Sequence, residues 1–269
     1  MSTYRVFPRL TRATPDDGCA IVNRGPYLYE RPERVEISVA FTWDLPRAEQ
    51  LAKLWSMVAP VEIGGPATGQ RGEEFVPGRY LRDGYVITSR GCPNRCWFCQ
   101  VWRRDGNVRE LAIADGWNVL DDNLLACSEP HIRAVFAMLG RQCRRAVFSG
   151  GLEAARLQDW HVDLLTEIRP EQMFFAYDTP DDYEPLREAG RMLLQVFSQV
   201  SHALRCYVLI GYPGDTFDAA ESRCRAAWEA GFFPMAMLYN AYERAVEWRR
   251  FQRTWANPRI VAQQLKEQG

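Results

Sequence analysis

The sequence lacks several features that would assign it to a class at once. It has no stretch approaching 18 consecutive apolar residues, so nothing in it predicts a membrane-spanning helix. Its 33 basic and 34 acidic residues nearly cancel, so no overall charge attracts nucleic acid or an anionic membrane. The N-terminus also lacks the apolar run of a signal peptide. We therefore expect a cytoplasmic protein without a membrane partner.

Cysteine and histidine are also scarce. Eight cysteines in 269 residues are too few for a disulfide scaffold, and a reducing compartment keeps thiols reduced. Five cysteines stand singly, and we expect each to be a small buried apolar residue. These five are Cys19, Cys127, Cys143, Cys206 and Cys224. The three histidines also stand alone, which favours surface or capping roles over metal ligation. They are His131, His161 and His202.

The first 78 residues are predicted to form a small α/β lobe. Residues 35–43 are rich in β-forming side chains, and residues 46–59 have apolar residues at helical spacing after an opening proline. Residues 61–67 are typical of a strand that enters a glycine turn. The polar, glycine-rich residues 68–79 are the predicted linker.

After the linker, short apolar runs alternate with helical patterns. Six strands are predicted, at residues 85–89, 117–121, 146–150, 173–178, 206–211 and 234–239. Helices are predicted at 128–140, from Ser128 as the N-cap to Gly140 as the stop, and at 215–231. Residues 183–204 favour two helical pieces that are broken at Gly190.

Alternation of strands and helices favours a parallel sheet with helices outside it. Six units fall short of the eight that close a barrel, so the predicted fold is α/β, a partial (β/α)6 barrel with a small N-terminal α/β lobe. In such sheets, the functional groups lie at the carboxyl ends of the strands. The predicted domains are the lobe (1–78), the barrel (79–240) and a C-terminal basic and aromatic helix (241–269).

The C-terminal helix has aromatic residues spaced by three and four, among several arginines. These aromatics are Trp248, Phe251 and Trp255. One interpretation is an amphipathic helix whose aromatic stripe packs against the barrel while the arginines stay solvated. The other is a contact with nucleic acid, because arginine and aromatic side chains suit phosphates and stacked bases.

The segment "GCPNRCWFCQVW" places Cys92, Cys96 and Cys99 within eight positions, directly after the first predicted strand of the barrel. A structural zinc site has four ligands, usually in two separated pairs, and no second pair of cysteines or histidines follows. Iron–sulfur clusters also take thiolate ligands, normally four. Three thiolates on a four-iron cluster leave one iron open for chemistry.

The spacing C-x3-C-x2-C, with Phe98 before the last cysteine, resembles the radical S-adenosylmethionine (SAM) superfamily over roughly residues 80–240. The resemblance implies a [4Fe–4S] cluster held by Cys92, Cys96 and Cys99, with SAM chelating the open iron. It implies that the reduced cluster cleaves SAM and that a 5′-deoxyadenosyl radical takes a hydrogen atom from substrate. An electron donor such as flavodoxin or ferredoxin is implied as a partner.

The same resemblance places an acidic or Gly-Gly-Glu-like motif for the SAM amino group after the second strand. Asp121 and Asp122 in "LDDN" occupy that place, and a carboxylate is an acceptor for an ammonium donor. Gly150, Gly151 and Glu153 in "SGGLEA" imitate the glycine motif with one residue inserted, after the third strand. The two motifs remain alternative amine sites at this point.

The nucleoside part of SAM has its own candidates by the same resemblance. Asp178 follows the fourth strand, where a carboxylate can accept from both ribose hydroxyls. Gly211, Pro213 and Gly214 in "IGYPGDT" follow the fifth strand and resemble the family's glycine–proline turn at the adenine. Phe98 is a further candidate for packing on the adenine.

The lobe before the barrel resembles the cobalamin-binding domain that some radical SAM enzymes carry, including a Gly-Gly turn in "VEIGGPA". It is shorter than that domain, and no histidine precedes His131 to ligate cobalt. We therefore expect a degenerate lobe and no cobalamin.

Two functional hypotheses follow. The first is a radical SAM enzyme that modifies a substrate by hydrogen abstraction. A partial barrel leaves a wide opening that is compatible with a nucleic acid, nucleotide or peptide, and the basic tail favours a nucleobase or nucleotide. The second is a zinc-stabilised protein that binds nucleic acid without catalysis.

Overall fold

A computed structural model describes most of the chain, in five ranges: 2–72, 74–198, 202–240, 245–257 and 260–261. The backbone divides into two compact units, residues 1–116 and 117–269. Both are mixed α/β structures with parallel sheets. Within the described ranges, no helix is both long and apolar enough to cross a membrane.

The first unit is built on a four-stranded parallel sheet. Its elements are β1 (Thr3–Phe7), β2 (Ala20–Val22), β3 (Arg34–Ser38), α1 (Leu45–Trp55), β4 (Val61–Gly64), β5 (Tyr85–Val86), β6 (Ser89–Arg90), α2 (Val101–Arg104) and β7 (Arg109–Glu110). The sheet order is β2-β1-β3-β4, and α1 connects β3 to β4. The α/β character predicted for this part of the chain is therefore confirmed.

Apolar side chains of α1 and the sheet form the core of this unit. Leu51 and Trp55 of α1 are fully buried among strand residues that include Val35 and Ile37. Leu54, one of the apolar residues at helical spacing, is instead partly exposed and lies over Gly25. The helix also ends at Trp55, earlier than predicted.

The predicted linker is attached to this first unit by side chains. Arg5 donates to the carbonyls of Gly78 and Arg79, and Arg79 and Tyr80 both donate to the buried carboxylate of Glu36, at 2.8 and 2.7 Å. These bonds explain why the compact unit continues past residue 78. The functional domain boundaries at 78 and 240 stay a prediction.

The second unit contains five parallel strands with helices between them. Its elements are β8 (Asn118–Val119), α3 (Glu129–Gly140), β9 (Val147–Phe148), α4 (Asp159–Ile168), β10 (Gln172–Tyr177), α5 (Tyr183–Leu193), β11 (Leu204–Ile210), α6 (Phe217–Glu229), β12 (Phe233–Leu238) and α7 (Val246–Ala256). The five strands follow in the order β12-β11-β10-β9-β8. Together with β5, they give a strand that overlaps each of the six predicted apolar runs.

The ends of α3 and α6 can be compared with the helix bounds that the sequence predicted. Ser128 caps α3 as expected, because its hydroxyl accepts from the backbone N–H of His131. Gly140 is the last helical residue of α3 and not the residue after it, and Arg141 follows as the C-cap. Thr216 caps α6 by accepting from the N–H of Ala219.

The break predicted at Gly190 is wrong. Helix α5 runs from Tyr183 through Gly190 to Leu193. A Cβ atom at residue 190 would lie 1.9 Å from the carbonyl oxygen of Ala230, so glycine is required by close packing of the chain after α6. Glycine weakens a helix, but at residue 190 the close approach of Ala230 leaves no room for a larger residue.

Several predictions for single residues are also corrected. His131 and His161 are buried, not on the surface, although His161 does cap α4 by accepting from the N–H of Gln158. Among the single cysteines, Cys206 and Cys224 are buried as expected, whereas Cys143 is exposed. The remaining two, Cys19 and Cys127, are partly buried.

The predicted C-terminal helix appears as α7, which packs against β12. Trp255 is buried, Trp248 contacts Phe217 with ring centres 4.3 Å apart, and Phe251 lies between them. The aromatic stripe therefore packs inward, which confirms the first interpretation of this pattern. Residues 241–244, 258–259 and 262–269 of the predicted C-terminal domain lie outside the described residues.

Candidate functional site

The three clustered cysteines lie on a closed loop of the first unit, residues 91–108, which we call the cysteine loop. Its base is an antiparallel ladder in which Ser89 pairs with Glu110 and Arg90 with Arg109. Just above the ladder, the N–H of Cys92 donates to the carbonyl of Gly106 at 3.0 Å. The backbone therefore brings the two ends of the loop together.

Inside the loop, hydrogen bonds turn the chain from the cysteines into α2. The N–H of Cys99 and the indole N–H of Trp102 both donate to the carbonyl of Cys96, at 3.1 and 3.0 Å. The N–H of Val101 approaches the sulfur of Cys99 at 3.4 Å. A backbone N–H directed at sulfur stabilises negative charge on that sulfur, which suits a thiolate ligand.

The buried carboxylate of Asp105, directly after α2, connects this helix to the predicted linker. Asp105 accepts from Arg104 at 2.6 Å and from the N–H of Gly72, in the predicted linker, at 2.8 Å. Arg109 donates to the carbonyl of the same Gly72. The linker and the cysteine loop are thus held together within the first unit.

The three cysteines differ from the buried cysteines of the second unit. Cys92, Cys96 and Cys99 are all partly exposed. Burial raises the pKa of Cys224 to about 12 and that of Cys206 well above its ordinary value, so these two remain thiols. Accessible sulfur is what metal ligation and redox chemistry require.

A cavity of about 390 Å³ opens beside Cys92. It is lined by Cys92, Pro93, Arg95, Trp102, Gly106 and Asn107. In the described part of the chain, no three His, Cys, Asp or Glu side chains are positioned to hold a metal ion. The fit to an iron–sulfur cluster therefore rests on three soft sulfur donors and this adjoining space, and not on convergent sulfur positions.

Phe98 lies between the second and third cysteines and is partly buried. Its ring meets that of Trp97 edge to face, with ring centres 5.4 Å apart, and Trp97 itself is half-exposed. Packing of Phe98 on an adenine stays a prediction.

In the second unit, the predicted SAM contacts follow the carboxyl ends of neighbouring strands. Because β8, β9, β10 and β11 run parallel, Asp121, Gly150, Asp178 and Gly211 lie in turn along one edge of the sheet. The resemblance to the radical SAM superfamily implied each of these positions, and each one lies at the end of an apolar run of the sequence.

The two alternative amine motifs are brought together at this edge. A Cβ atom at Gly150 would lie 2.3 Å from the carbonyl oxygen of Asp121, so the turn after β9 presses on the backbone after β8. Asn123 donates to the carboxylate of Glu153 at 2.6 Å, and Arg156 donates to the same oxygen. The "LDDN" and "SGGLEA" segments therefore lie against each other.

The carboxylates of this site differ in accessibility. Asp121 is 1% exposed, whereas Asp122 and Glu153 are partly exposed. An ammonium ligand that arrives from solvent can reach the latter two more directly. Gly151 follows Gly150 at the entrance to this turn and has a left-handed φ of 104°.

Asp178 occupies a mostly buried position after β10. Burial raises the pKa of its carboxyl to about 7, and the nearby charge of Asp182 adds to the shift, while a hydrogen bond with the backbone of Leu209 opposes it. Asp182 itself accepts from the N–H groups of Asp178 and Thr179, and so holds the turn between β10 and α5. Asp178 therefore changes charge near neutral pH.

The turn after β11 contains the predicted adenine contacts. Gly211 and Gly214 have φ of 69° and 85°, and Pro213 lies between them. The carboxylate of Asp215 accepts from the N–H of Gly211 at 2.7 Å and from Arg223 of α6 at 2.7 Å. The side chain of Asp215, the last residue of the turn, thus holds the turn closed by its hydrogen bond with Gly211, the first residue.

No protein-family model matches this chain, and no match appears among curated proteins. The site therefore has to be interpreted from its own residues.

Sequence reasoning missed three contacts of this edge. They are the hydrogen bonds Ser149–Asn118 and Asn123–Glu153 and the ion pair Asp215–Arg223. A signal for the last was present, because Arg223 falls on the apolar face of α6 between Ala220 and Ala227. An arginine at a core position requires a partner.

A second cavity of about 420 Å³ lies elsewhere in the second unit, between α3 and α4. Its lining includes Ala146, at the amino end of β9, so it opens at the other end of the strand from Gly150. The predicted contacts do not line it.

Proposed function

We propose that this protein is a radical SAM enzyme that modifies its substrate by hydrogen abstraction. The observation that carries the proposal is the cysteine loop, with three partly exposed thiols at C-x3-C-x2-C spacing on a backbone closed at its base. The partial (β/α)6 barrel is part of the proposal, supported by the strand in each of the six predicted runs.

In this function, Cys92, Cys96 and Cys99 would hold a [4Fe–4S] cluster. When bound, the cluster and SAM supply the one-electron chemistry that produces a hydrogen-abstracting radical. The N–H of Val101 would stabilise the thiolate of Cys99, because it already approaches that sulfur at 3.4 Å.

Residues of the second unit would bind the other groups of SAM. Asp122 and Glu153 offer partly exposed carboxylates to an ammonium group, which favours them over the buried Asp121. Asp178 would bind the ribose hydroxyls, accepting from both when ionised and donating one proton when neutral. The turn from Gly211 to Gly214 would approach the adenine.

The partners stay part of this proposal. An external electron donor such as flavodoxin or ferredoxin would reduce the cluster, and the substrate would be a nucleobase or nucleotide. The arginines Arg249, Arg250 and Arg253 are exposed on α7, opposite its packed aromatics, where they suit phosphate groups. No cobalamin is expected, since no histidine precedes His131 in the sequence and the first unit therefore has none to ligate cobalt.

Anaerobic reconstitution with iron and sulfide tests the proposal. We expect about four irons and four sulfides per chain, as in a [4Fe–4S] protein. The reduced protein should then convert SAM to 5′-deoxyadenosine and methionine. A colourless protein with one tightly bound zinc would instead support the alternative, a zinc-stabilised protein that binds nucleic acid.

A further inference from the structure

A buried ion pair lies at the end of β11 and is not explained by the contacts predicted for SAM. Asp215 and Arg223 are 2.7 Å apart, the carboxylate of Asp215 has no exposed area and the side chain of Arg223 is 10% exposed. Arg223 lies on α6, on a face that otherwise buries Ala220, Cys224 and Ala227.

The pair holds both ends of the turn that follows β11. Asp215 accepts from the N–H of Gly211 at 2.7 Å, so one carboxylate joins the first and last residues of the turn. Arg223 donates to the carbonyl of Leu209 at 3.1 Å, just before the turn begins. Its guanidinium also lies 5.0 Å from the ring centre of Tyr212, inside the turn.

The same contacts reach the carboxylate after the neighbouring strand. Leu209 accepts from Arg223 through its carbonyl, and its backbone also hydrogen-bonds with Asp178. A continuous path of contacts therefore connects Asp178, Leu209, Arg223, Asp215 and Gly211, which we call the Arg223 cluster. It contains the predicted ribose contact and the first residue of the predicted adenine turn.

Stability alone is a weak reason for this arrangement. A buried ion pair loses the hydration of two charges, and well-packed apolar side chains often serve the fold equally well. In addition, the Nε atom of Arg223 is buried without a hydrogen-bond partner in the described part of the chain. The pair therefore serves to fix one backbone arrangement, through its bonds to Gly211 and Leu209, more than to add to the free energy of folding.

We propose that Arg223, through Asp215 and Leu209, positions the turn 211–215 and the end of β11 to receive the adenosine part of SAM. Arg223 is a positioning residue, since it acts through the turn and not on the ligand. This inference rests on the proposed function, because it takes SAM as the ligand of this edge.

Binding of S-adenosylhomocysteine to the reconstituted full-length protein tests the inference by calorimetry. Arg223→Lys keeps the charge, but its shorter side chain does not carry an N–H group to the position of Nη2, the atom that donates to both Leu209 and Asp215. Asp215→Asn keeps the shape without the charge. Each should weaken binding by about tenfold, the effect of losing one hydrogen bond to a charged group. Arg225→Lys is the matched control, because Arg225 on the same helix pairs with Glu221 near the surface, and it should change affinity less than about twofold.

Two further measurements separate positioning from general stability. Hydrogen exchange of the Gly211 amide should accelerate in both variants without ligand, because that N–H donates to Asp215. The iron content and the EPR spectrum of the reduced cluster should stay unchanged, since no residue of the Arg223 cluster is a sulfur donor. A loss of folded protein alone would lower iron content and affinity together.

The outcomes distinguish the two proposals. If the wild-type protein binds S-adenosylhomocysteine and both variants bind it equally well, the positioning role is wrong while the proposed function stands. If the reconstituted wild-type protein binds neither S-adenosylhomocysteine nor SAM, the proposed function fails and this inference fails with it. Should Arg223→Lys not fold, Asp215→Asn decides the question alone.

Discussion

The cysteine loop of the first unit and the strand edge of the second unit differ in how firmly neighbouring residues hold their predicted ligand-binding side chains. In the loop, the backbone is closed by a short ladder and a few N–H bonds, while the three thiol side chains are partly exposed and not gathered at one point. At the strand edge, side chains such as Asp215 and Glu153 are already bonded to neighbours.

The difference shows which of the two regions depends on its ligand for its arrangement. Metal–sulfur bonds are strong enough to bring flexible side chains together on binding, so a cysteine loop needs only the right donors and spacing. A nucleoside offers weaker hydrogen bonds and stacking, so its contacts gain most from being fixed beforehand. Variants of the two regions should therefore fail in different ways.

The largest effect is expected from Cys96→Ala. Loss of one of three sulfur donors should abolish iron incorporation and 5′-deoxyadenosine formation, while the free energy of unfolding of the apoprotein changes by less than about 1 kcal/mol, because this side chain is partly exposed. Iron analysis and urea unfolding measure the two properties. Cys143→Ala, at an exposed single cysteine, is the control and should keep both iron and turnover.

Arg223→Ala should produce the opposite result. It leaves Asp215 buried without its counterion, which should destabilise the fold by about 3–5 kcal/mol in urea unfolding. Arg225→Ala on the same helix breaks a more exposed pair and should cost about 1 kcal/mol or less. Equal losses of unfolding free energy in the two variants would mean that burial gives the Asp215–Arg223 pair no larger role in stability than the exposed pair has.

Asp178→Ala should weaken SAM binding while iron content stays the same. Two lost hydrogen bonds with a partly charged acceptor correspond to about 2–4 kcal/mol of binding free energy, measured by titration of the reconstituted protein. The control is Asp181→Ala, since Asp181 is exposed three residues further on. Unchanged SAM affinity in a folded Asp178→Ala protein would refute the ribose contact.

Gly190→Ala should destabilise the second unit by about 1–3 kcal/mol, because the added Cβ would meet the carbonyl of Ala230. Helix propensity alone predicts the opposite sign, a gain of about 1 kcal/mol. Gly140→Ala is the matched control, since a Cβ there would lie 3.8 Å from Ile168 in ordinary contact. Thermal unfolding of the two variants gives the signs directly.

The last comparison concerns the dependence of stability on pH. Since burial raises the pKa of Asp178 from 3.8 to about 7, the folded protein keeps a proton there that the unfolded chain releases. The contribution of Asp178 to stability therefore falls as pH rises from about 4 to 7. Asp178→Asn should remove this slope, which unfolding of variant and wild type at pH 5 and pH 8 measures.

His161 supplies a contrast within the same unit. Burial lowers the pKa of His161 from 6.5 to about 4, so the unfolded chain takes up a proton that the folded protein does not. Its contribution is lost as pH falls from about 6.5 to 4, with a sign opposite to that of Asp178. A His161→Gln variant that showed the same slope as Asp178→Asn would contradict both assignments.

Much of the parallel sheet could be predicted from local patterns. The six apolar runs are short, are bounded by turn residues and alternate with helical periodicity, and each is overlapped by a strand. The positions of Asp178 and Gly211 followed because they end such runs. The cap at Ser128 was predictable for the same reason, since capping depends on residues three apart.

Other features could not be read from local patterns. Glycine normally disfavours a helix, so Gly190 indicated a break until its contact with Ala230, forty residues away, was known. Likewise, the position of Arg223 on the apolar face of α6 indicated that it needs a partner but not that the partner is Asp215. The two amine motifs looked like alternatives because they are separated along the chain.

The sequence by itself determined the spacing of Cys92, Cys96 and Cys99 and the order of strands and helices, because both depend on residues close together in the chain. Only the tertiary structure decided that Asp215 binds Arg223, that Asn123 binds Glu153 and that the turn after β9 presses on Asp121. Those contacts form when parallel strands align their carboxyl ends, and the alignment depends on packing across the whole sheet.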